Sequence, residues 1–396
     1  MSAAIPAAAV TGVGVISPLG DRPGAVAEAL WAGRTAFAPL PDAPGAAAAI
    51  PDFDATRYAT IRGLRLYSRP TRMAISAVQL ALTDAGLAGG AVPGEGLGTV
   101  TACTLGHIET LLEYDRSVAT QGPMRGNPAL MPLSLPSSPG AAVALSFGAK
   151  AFSMALAGAT AGLDALGLGA RMLAAGRARV CVVVGSFGLS PELALAASRA
   201  GWLAPAGDPR PFDRRRDGTA LGEGAVAFVL ERPADARARG AGLRAAMAGQ
   251  ASAFAPDAPA TAAALERACA AALGEAGAPE LGLVSAGASG SVEGDRAEAA
   301  ALRAALGRSA GDVPVTAPRS CLGDSFDAGG LFQCLVALDA IRSARIPPIR
   351  GLEQPEPEGL RLVREPLEVR VAHALVTTTA PDGCCSAAVL SRIDEG

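Results

Sequence analysis

Residues 156–176, LAGATAGLDALGLGARMLAAG, open with small residues, continue as an amphipathic helical pattern and run at once into the apolar stretch VCVVVG. Many enzymes seat a nucleophile at such a helix N-terminus. Here no cysteine, serine, histidine or lysine stands at the mouth of the helix. The rest of the chain offers few substitutes. It has two histidines, His107 and His373, and seven cysteines, at 103, 181, 269, 321, 334, 384 and 385. The cysteines are scattered, mostly within apolar runs, with no CxxC pair or Cys/His cluster. Neither a zinc site nor a disulfide framework is indicated, and no cofactor is expected.

Three other groupings could carry chemistry or binding. Cys321 has Asp324 and Asp327 nearby in sequence, with Ser289 as a residue that could face it. Neighbouring carboxylates raise a thiol pKa, so the plainer reading of Cys321 is a small buried filler. His107, Thr110 and Tyr114 are spaced i, i+3, i+7 on one face of a predicted helix. Arg62, Arg65, Arg69 and Arg72 form one basic cluster and Arg214, Arg215 and Arg216 another. Each would suit an acidic partner or, more plainly, a solvated face or internal ion pairs.

The elements that position these residues alternate in an α/β rhythm. Predicted strands are 7–16, 97–104, 179–186 and 225–231, with helices at 70–87, 109–120 and the opening stretch. In 70–87, Met73, Ala74, Val78, Leu80, Ala81 and Ala85 follow the spacing of one buried face. The polar run 231–242, ERPADARARGAG, reads as a connector. The rhythm then restarts: strand 243–252, helix 261–277, strand 281–287, helix 295–307, PVTAP at 314–318, a helix from about 326 to 343, and two closing strands in HALVTTTA and CCSAAVLSRI. Two similar halves, 1–236 and 237–396, suggest an internal duplication.

At 396 residues, half of them apolar, the chain can bury a large core. A net charge of −3 argues against nucleic-acid binding. Lys150 is the only lysine. The N-terminus lacks the pattern of a signal peptide, and no apolar run reaches membrane-spanning length, so a cytoplasmic protein is expected.

Several segments together resemble the β-ketoacyl synthase family of the thiolase superfamily. AVTGVGVISPLG (9–20) is similar to its opening strand and turn. PFDRRRDGTALGEGAVAFVLE (211–231) closely resembles its signature PFDxxRDGxxxGEGAxxxVLE, and DRAEAAAL (295–302) its Asp-x-x-Glu helix. Asp295 and Glu298 are structural by this match, and Asp213, Arg216, Asp217 and Glu223 would form an ion-paired loop. The resemblance implies a thiolase-like α/β fold, two similar halves stacked as a five-layer αβαβα sandwich, in a tight dimer.

The family's chemistry needs a cysteine, two histidines and two backbone amides for an oxyanion. By the resemblance, the cysteine position falls on Ala159, the first histidine on Gly287 and the second on Asp324, with Arg319 for the nearby lysine. An oxyanion amide position falls on Pro381, which has no N–H. The chain thus resembles a cysteine-less, chain-length-factor-like paralogue of type II polyketide synthases. Such a subunit pairs with an active ketosynthase and shapes the tunnel for a chain carried by acyl carrier protein. The resemblance places tunnel residues at His107, Thr110 and Tyr114. Ala159 stands where that group commonly carries glutamine, which points to a divergent branch such as those making polyene chains. The alternatives are an enzyme with Cys321 as relocated nucleophile and a homodimeric acyl-binding scaffold.

Overall fold

The computed structural model describes residues 8–393. Ala7 of the first predicted strand, the rest of the N-terminal stretch and residues 394–396 lie outside the described residues. The first half contains β1 (Ala8–Ile16), α1 (Arg69–Asp84), β2 (Leu97–Ala102), α2 (Ile108–Gln121), α3 (Ser138–Phe147), β3 (Phe152–Leu156), α4 (Ala161–Ala174), β4 (Val180–Phe187) and β5 (Gly224–Glu231). The second half contains β6 (Ala245–Phe254), α5 (Thr261–Glu275), β7 (Leu283–Ser285), α6 (Val292–Leu306), β8 (Pro314–Thr316), α7 (Gly329–Ser343), β9 (His373–Thr379) and β10 (Cys384–Ser391).

The strands run β3-β2-β4-β5-β1 and then β6-β10-β9-β7-β8, with the short strand Arg361–Leu362 at the far edge. In both groups the spatial order is first, fifth, fourth, second, third strand of that half. The helices repeat too: α1 matches α5, α3 matches α6 and α4 matches α7. The α2 segment has no counterpart in this order. The two groups meet through Ala8–Val10 on β1, antiparallel to Ala245–Met247 on β6.

Three apolar cores follow from this plan. Met73, Ile75, Val78 and Val143 of α1 and α3 pack on one face of the first sheet group. Leu265, Cys269 and Leu302 of α5 and α6 pack on the outer face of the second. Leu163, Leu166 and Leu173 of α4 join Leu331, Leu335 and Leu338 of α7 in the middle. The layers are therefore helix, sheet, helix, sheet, helix. Strands covered on both faces are apolar throughout, and all nine residues of β1 are buried. Gly12 and Gly14 let α1 lie directly on β1: a Cβ there would meet Ala81 O at 2.3 Å and Ala77 O at 2.0 Å. The central pair packs through two glycines as well. A Cβ on Gly330 would stand 2.8 Å from Leu163, and one on Gly162 3.2 Å from Leu331.

Some sequence expectations change. The 231–242 connector contains a helix, Pro233–Ala238, and Glu231 belongs to β5. The reading missed β3 and α3; β3 is five residues long, with Ser153 interrupting its apolar run and Ser153, Met154 and Ala155 exposed. The helix expected from 326 begins at Gly329, after a 3₁₀ turn over Phe326–Ala328.

Candidate functional site

The N-terminus of α4 opens into a pocket of about 560 Å³, lined in part by Ala159, Gly287, Asp324 and Pro381. These four residues come from four separate loops: before α4, after β7, before α7 and between β9 and β10. The repeated topology brings all of those loops to one end of the central helix pair. Among the described residues, no cysteine, histidine or lysine lines the pocket.

The backbone has closed in where Gly287 sits. A Cβ on Gly287 would stand 2.9 Å from Thr377 O and 3.0 Å from Thr378 Cα. Gly287 N donates to Glu298 Oε1 at 2.8 Å, and Thr377 Oγ1 donates to the same oxygen at 2.6 Å. Burial pushes the Glu298 carboxyl up to about 7 despite these donors. Asp295, on the same face of α6, accepts from Phe212 N at 2.8 Å and Ser289 N at 3.0 Å, and burial pushes it up to about 6. Both carboxyls serve backbone amides of the surrounding loops, which is a structural task.

Beside Gly287, Arg319 Nη1 donates to Asp324 Oδ2 at 3.2 Å, and Nη2 donates to Thr378 Oγ1 at 3.0 Å. Pro381 and Asp382 are exposed on the turn closed by Gly383 N donating to Ala380 O. Asp217, Asp257, Glu293 and Asp382 ring the opening as exposed acids.

The other candidates sit elsewhere. Cys321 is 1% exposed, absent from the pocket lining, and burial pushes its thiol up to about 11. It faces neither pocket nor solvent, which contradicts a relocated nucleophile. The chain is not cysteine-less either. Besides Cys321 it holds Cys103, one residue past β2, whose Sγ accepts from Ser186 Oγ at 3.3 Å; burial pushes that thiol up to about 12. What is missing is a cysteine at the helix mouth. His107 is the N-cap residue of α2, with Thr110 and Tyr114 one and two turns on. All three are half-buried, outside the pocket lining. Desolvation lowers the His107 pKa. Tyr114 packs beside Gly126, where a Cβ would meet its ring at 3.1 Å.

The basic clusters divide. Arg62 and Arg65 are exposed, but Arg69 donates to Glu223 at 2.6 Å and to Ile50 O. Arg216 is buried against Glu356 and within 4.0 Å of Asp295, and Arg215 bonds Asp213 and Glu353. The 211–231 loop is thus ion-paired mainly to other segments: Asp213 accepts from Glu353 N and Gln354 N, and Asp217 lies at the pocket rim. Sequence reasoning did not find Thr104 and Phe326, and it named Asp327 only as a neighbour of Cys321. Asp327 Oδ1 and Oδ2 accept from Thr104 Oγ1 at 2.5 Å and Thr104 N at 2.8 Å, and Thr104 Oγ1 accepts from Gly158 N at 2.7 Å. Desolvation pushes the Asp327 carboxyl up to about 7. No local pattern announces a contact spanning 223 residues.

Among the described residues, no helix is long and apolar enough to cross a membrane. The β-ketoacyl synthase N-terminal domain profile matches residues 7–236 and the C-terminal domain profile residues 236–353. The tetracenomycin polyketide synthase ketoacyl synthase alpha subunit of Streptomyces glaucescens is 35% identical, over 98% of this chain and 97% of that protein. The beta subunit of the same system is 33% identical, over 99% and 100%. The solved structure described as the ishigamide ketosynthase/chain length factor superposes with a TM-score of 0.89 at 26% identity, covering 99% of this chain and 100% of that one. With two profiles in tandem and relatives matched from end to end, this chain belongs to the β-ketoacyl synthase family.

Proposed function

We propose that this chain is a non-condensing, chain-length-factor-like subunit of a type II polyketide synthase. It pairs with an active ketosynthase and shapes the tunnel into which that partner's chain grows, in a system that includes polyene-type elongation. The observation that carries this reading is the lining of the α4 pocket. Ala159 cannot attack a thioester, Gly287 and Asp324 offer no imidazole, and Pro381 has no N–H to stabilise an oxyanion. Similarity to both an alpha and a beta subunit supports the polyketide setting, and the pocket lining supports the non-condensing role.

The partner face is β3 with its flanks. β3 is an edge strand whose backbone pairs only with β2, and Met154 is 38% exposed on it. Met124, Met131, Leu135 and Leu145 are exposed on the neighbouring turns and α3, at 95%, 46%, 50% and 78%. An uncovered apolar edge of this kind pairs with another chain. His107, Thr110 and Tyr114 lie on the α2 segment beside it and would set the tunnel floor. The exposed Arg62 and Arg65 of the first cluster and Arg214 of the second would face an acidic carrier protein. The halves 1–236 and 237–396 act as one scaffold.

Co-expression with a synthase that retains the cysteine and both histidines tests the reading. A one-to-one complex that condenses malonyl units, with the isolated chain silent, supports it. A self-sufficient homodimer, or condensation by the chain alone, overturns it.

A further inference from the structure

We propose that the turn Ser325–Ala328 is a plug in this chain's own acyl channel, so that the pocket at Ala159 ends blind at the Phe326 ring. This deepens the reading of the chain as a non-condensing subunit and rests on it: a chain growing on a partner must not be captured here.

The turn threads between the first turn of α4 and β4. A Cβ on Gly162 would meet Asp327 O at 2.4 Å, and one on Gly185 would meet it at 2.7 Å. Two glycines, one on each wall, therefore leave only enough space for the Asp327 backbone. An alkyl chain that entered beside Ala159 and ran between α4 and β4 would have to cross this place, and close-packed walls leave no gap for it.

The Phe326 ring closes the pocket side. It lies 4.8 Å from the Phe187 ring, which is 1% exposed, and 6.3 Å from Trp202, which is 45% exposed and lines the same pocket. Behind it stands the apolar group of Leu189, Leu203 and Leu221. Phe326 holds a φ of 44°, a region that bulky side chains rarely occupy. That backbone state persists because its surroundings fix it. Phe326 N donates to Asp324 Oδ1 at 3.0 Å, and Thr104 donates twice to Asp327 while accepting from Gly158 N. The turn is thereby tied to the loop after β2 and to the loop that carries Ala159. It is anchored from both halves.

The test uses the purified full chain with S-acetyl- and S-decanoyl-pantetheine as probes. Binding is read by Trp202 emission, with Trp202→Phe as the blank, and by native mass spectrometry. The expected result is that the wild type binds the two probes within threefold of each other, whereas Phe326→Ala binds the decanoyl probe at least tenfold more tightly than the acetyl one. Phe326→Leu, which keeps more of the packing, carries the comparison where Phe326→Ala does not fold. A wild type that already prefers the decanoyl probe tenfold overturns the plug, as does a folded variant without the new preference. Size-exclusion chromatography of the same samples with the synthase partner reads the other question: loss of the complex with wild-type protein sinks the subunit reading and leaves the binding result standing.

Discussion

Arg319 reaches Asp324 across one wall of the pocket, and its side chain is only 6% exposed while that of Asp324 is 20% exposed. The guanidinium is further held by Thr378, and its Nε has no acceptor. A lysine and a histidine at these positions would move protons. An arginine and an aspartate hold each other. The pair couples the loop before α7 to β9, and Asp324 also accepts the Phe326 amide.

Asp324→Ala should therefore destabilise the chain by about 2 kcal/mol in urea unfolding, because a nearly buried guanidinium loses its counter-charge. The figure is held below the fully buried case because Asp324 is partly solvated. Asp324→Asn keeps an acceptor for Phe326 N and should cost about half as much. Equal stability of wild type and Asp324→Ala would show that the pair is incidental.

Ala159→Cys should create a reactive thiol without creating a synthase. Ala159 is half-buried in the pocket just before α4, where the helix N-terminus favours a thiolate. Native Cys103 and Cys321 are buried with raised pKa values. Alkylation by iodoacetamide should be at least ~10-fold faster at the new thiol than at any native one, while condensation of malonyl units stays at background. Condensation by Ala159→Cys alone would mean that no imidazole is needed. Adding Gly287→His should cost about 1–3 kcal/mol, since its Cβ would press on the β9 backbone at 2.9 Å from Thr377 O. Thermal melts of the double variant measure that cost.

Much of the fold around this pocket was legible in the residues themselves, and the reason is local. Apolar runs such as Val180–Phe187 report strands buried on both faces, and small residues ahead of Ala161 report a helix mouth. Ala159, Gly287, Asp324 and Pro381 are named by counting from motifs that resemble the family's, and all four line one pocket. Phe326 and the Asp327–Thr104 contact could not be named in this way, since they depend on Thr104 and Gly158, which are distant in sequence. The exposed strand β3 was missed for the opposite reason. Its central side chains, Ser153, Met154 and Ala155, are exposed, so they lack the pattern of a strand that is covered on both faces.

Stability should fall as pH rises from about 5 to 8. Burial raises Glu298 and Asp327 to about 7 and Asp295 to about 6, so the folded state binds more protons than the unfolded one between pH 4 and 7. With raised folded pKa values, the contribution is fully present below the unfolded values and is lost through the folded ones. Both donors to Glu298 land on Oε1, so Glu298→Gln can keep those bonds. Its unfolding free energy should change with pH less than the wild type's, by about 1–3 kcal/mol across that span. A wild type that gains stability from pH 5 to 8 would contradict the raised carboxyl pKa values.

Tyr114 gives the most direct reading of the subunit's proposed task. It is half-buried on α2, packed toward Gly126, and Ser117 Oγ donates to its carbonyl at 2.7 Å. The α2 segment has no counterpart in the second half, and it adjoins the apolar edge assigned to the partner. A side chain there can limit chain length without supporting either sheet. Tyr114→Ala, co-expressed with the active synthase, should leave the complex and its melting temperature nearly unchanged while shifting the product to longer chains by mass spectrometry. Alanine is preferred to glycine because glycine would add about 1 kcal/mol of helix destabilisation to α2. His107→Ala should shift length in the same direction if its ring shares the tunnel floor. Products of unchanged length from Tyr114→Ala would move the floor away from α2 and leave these residues as ordinary interface contacts.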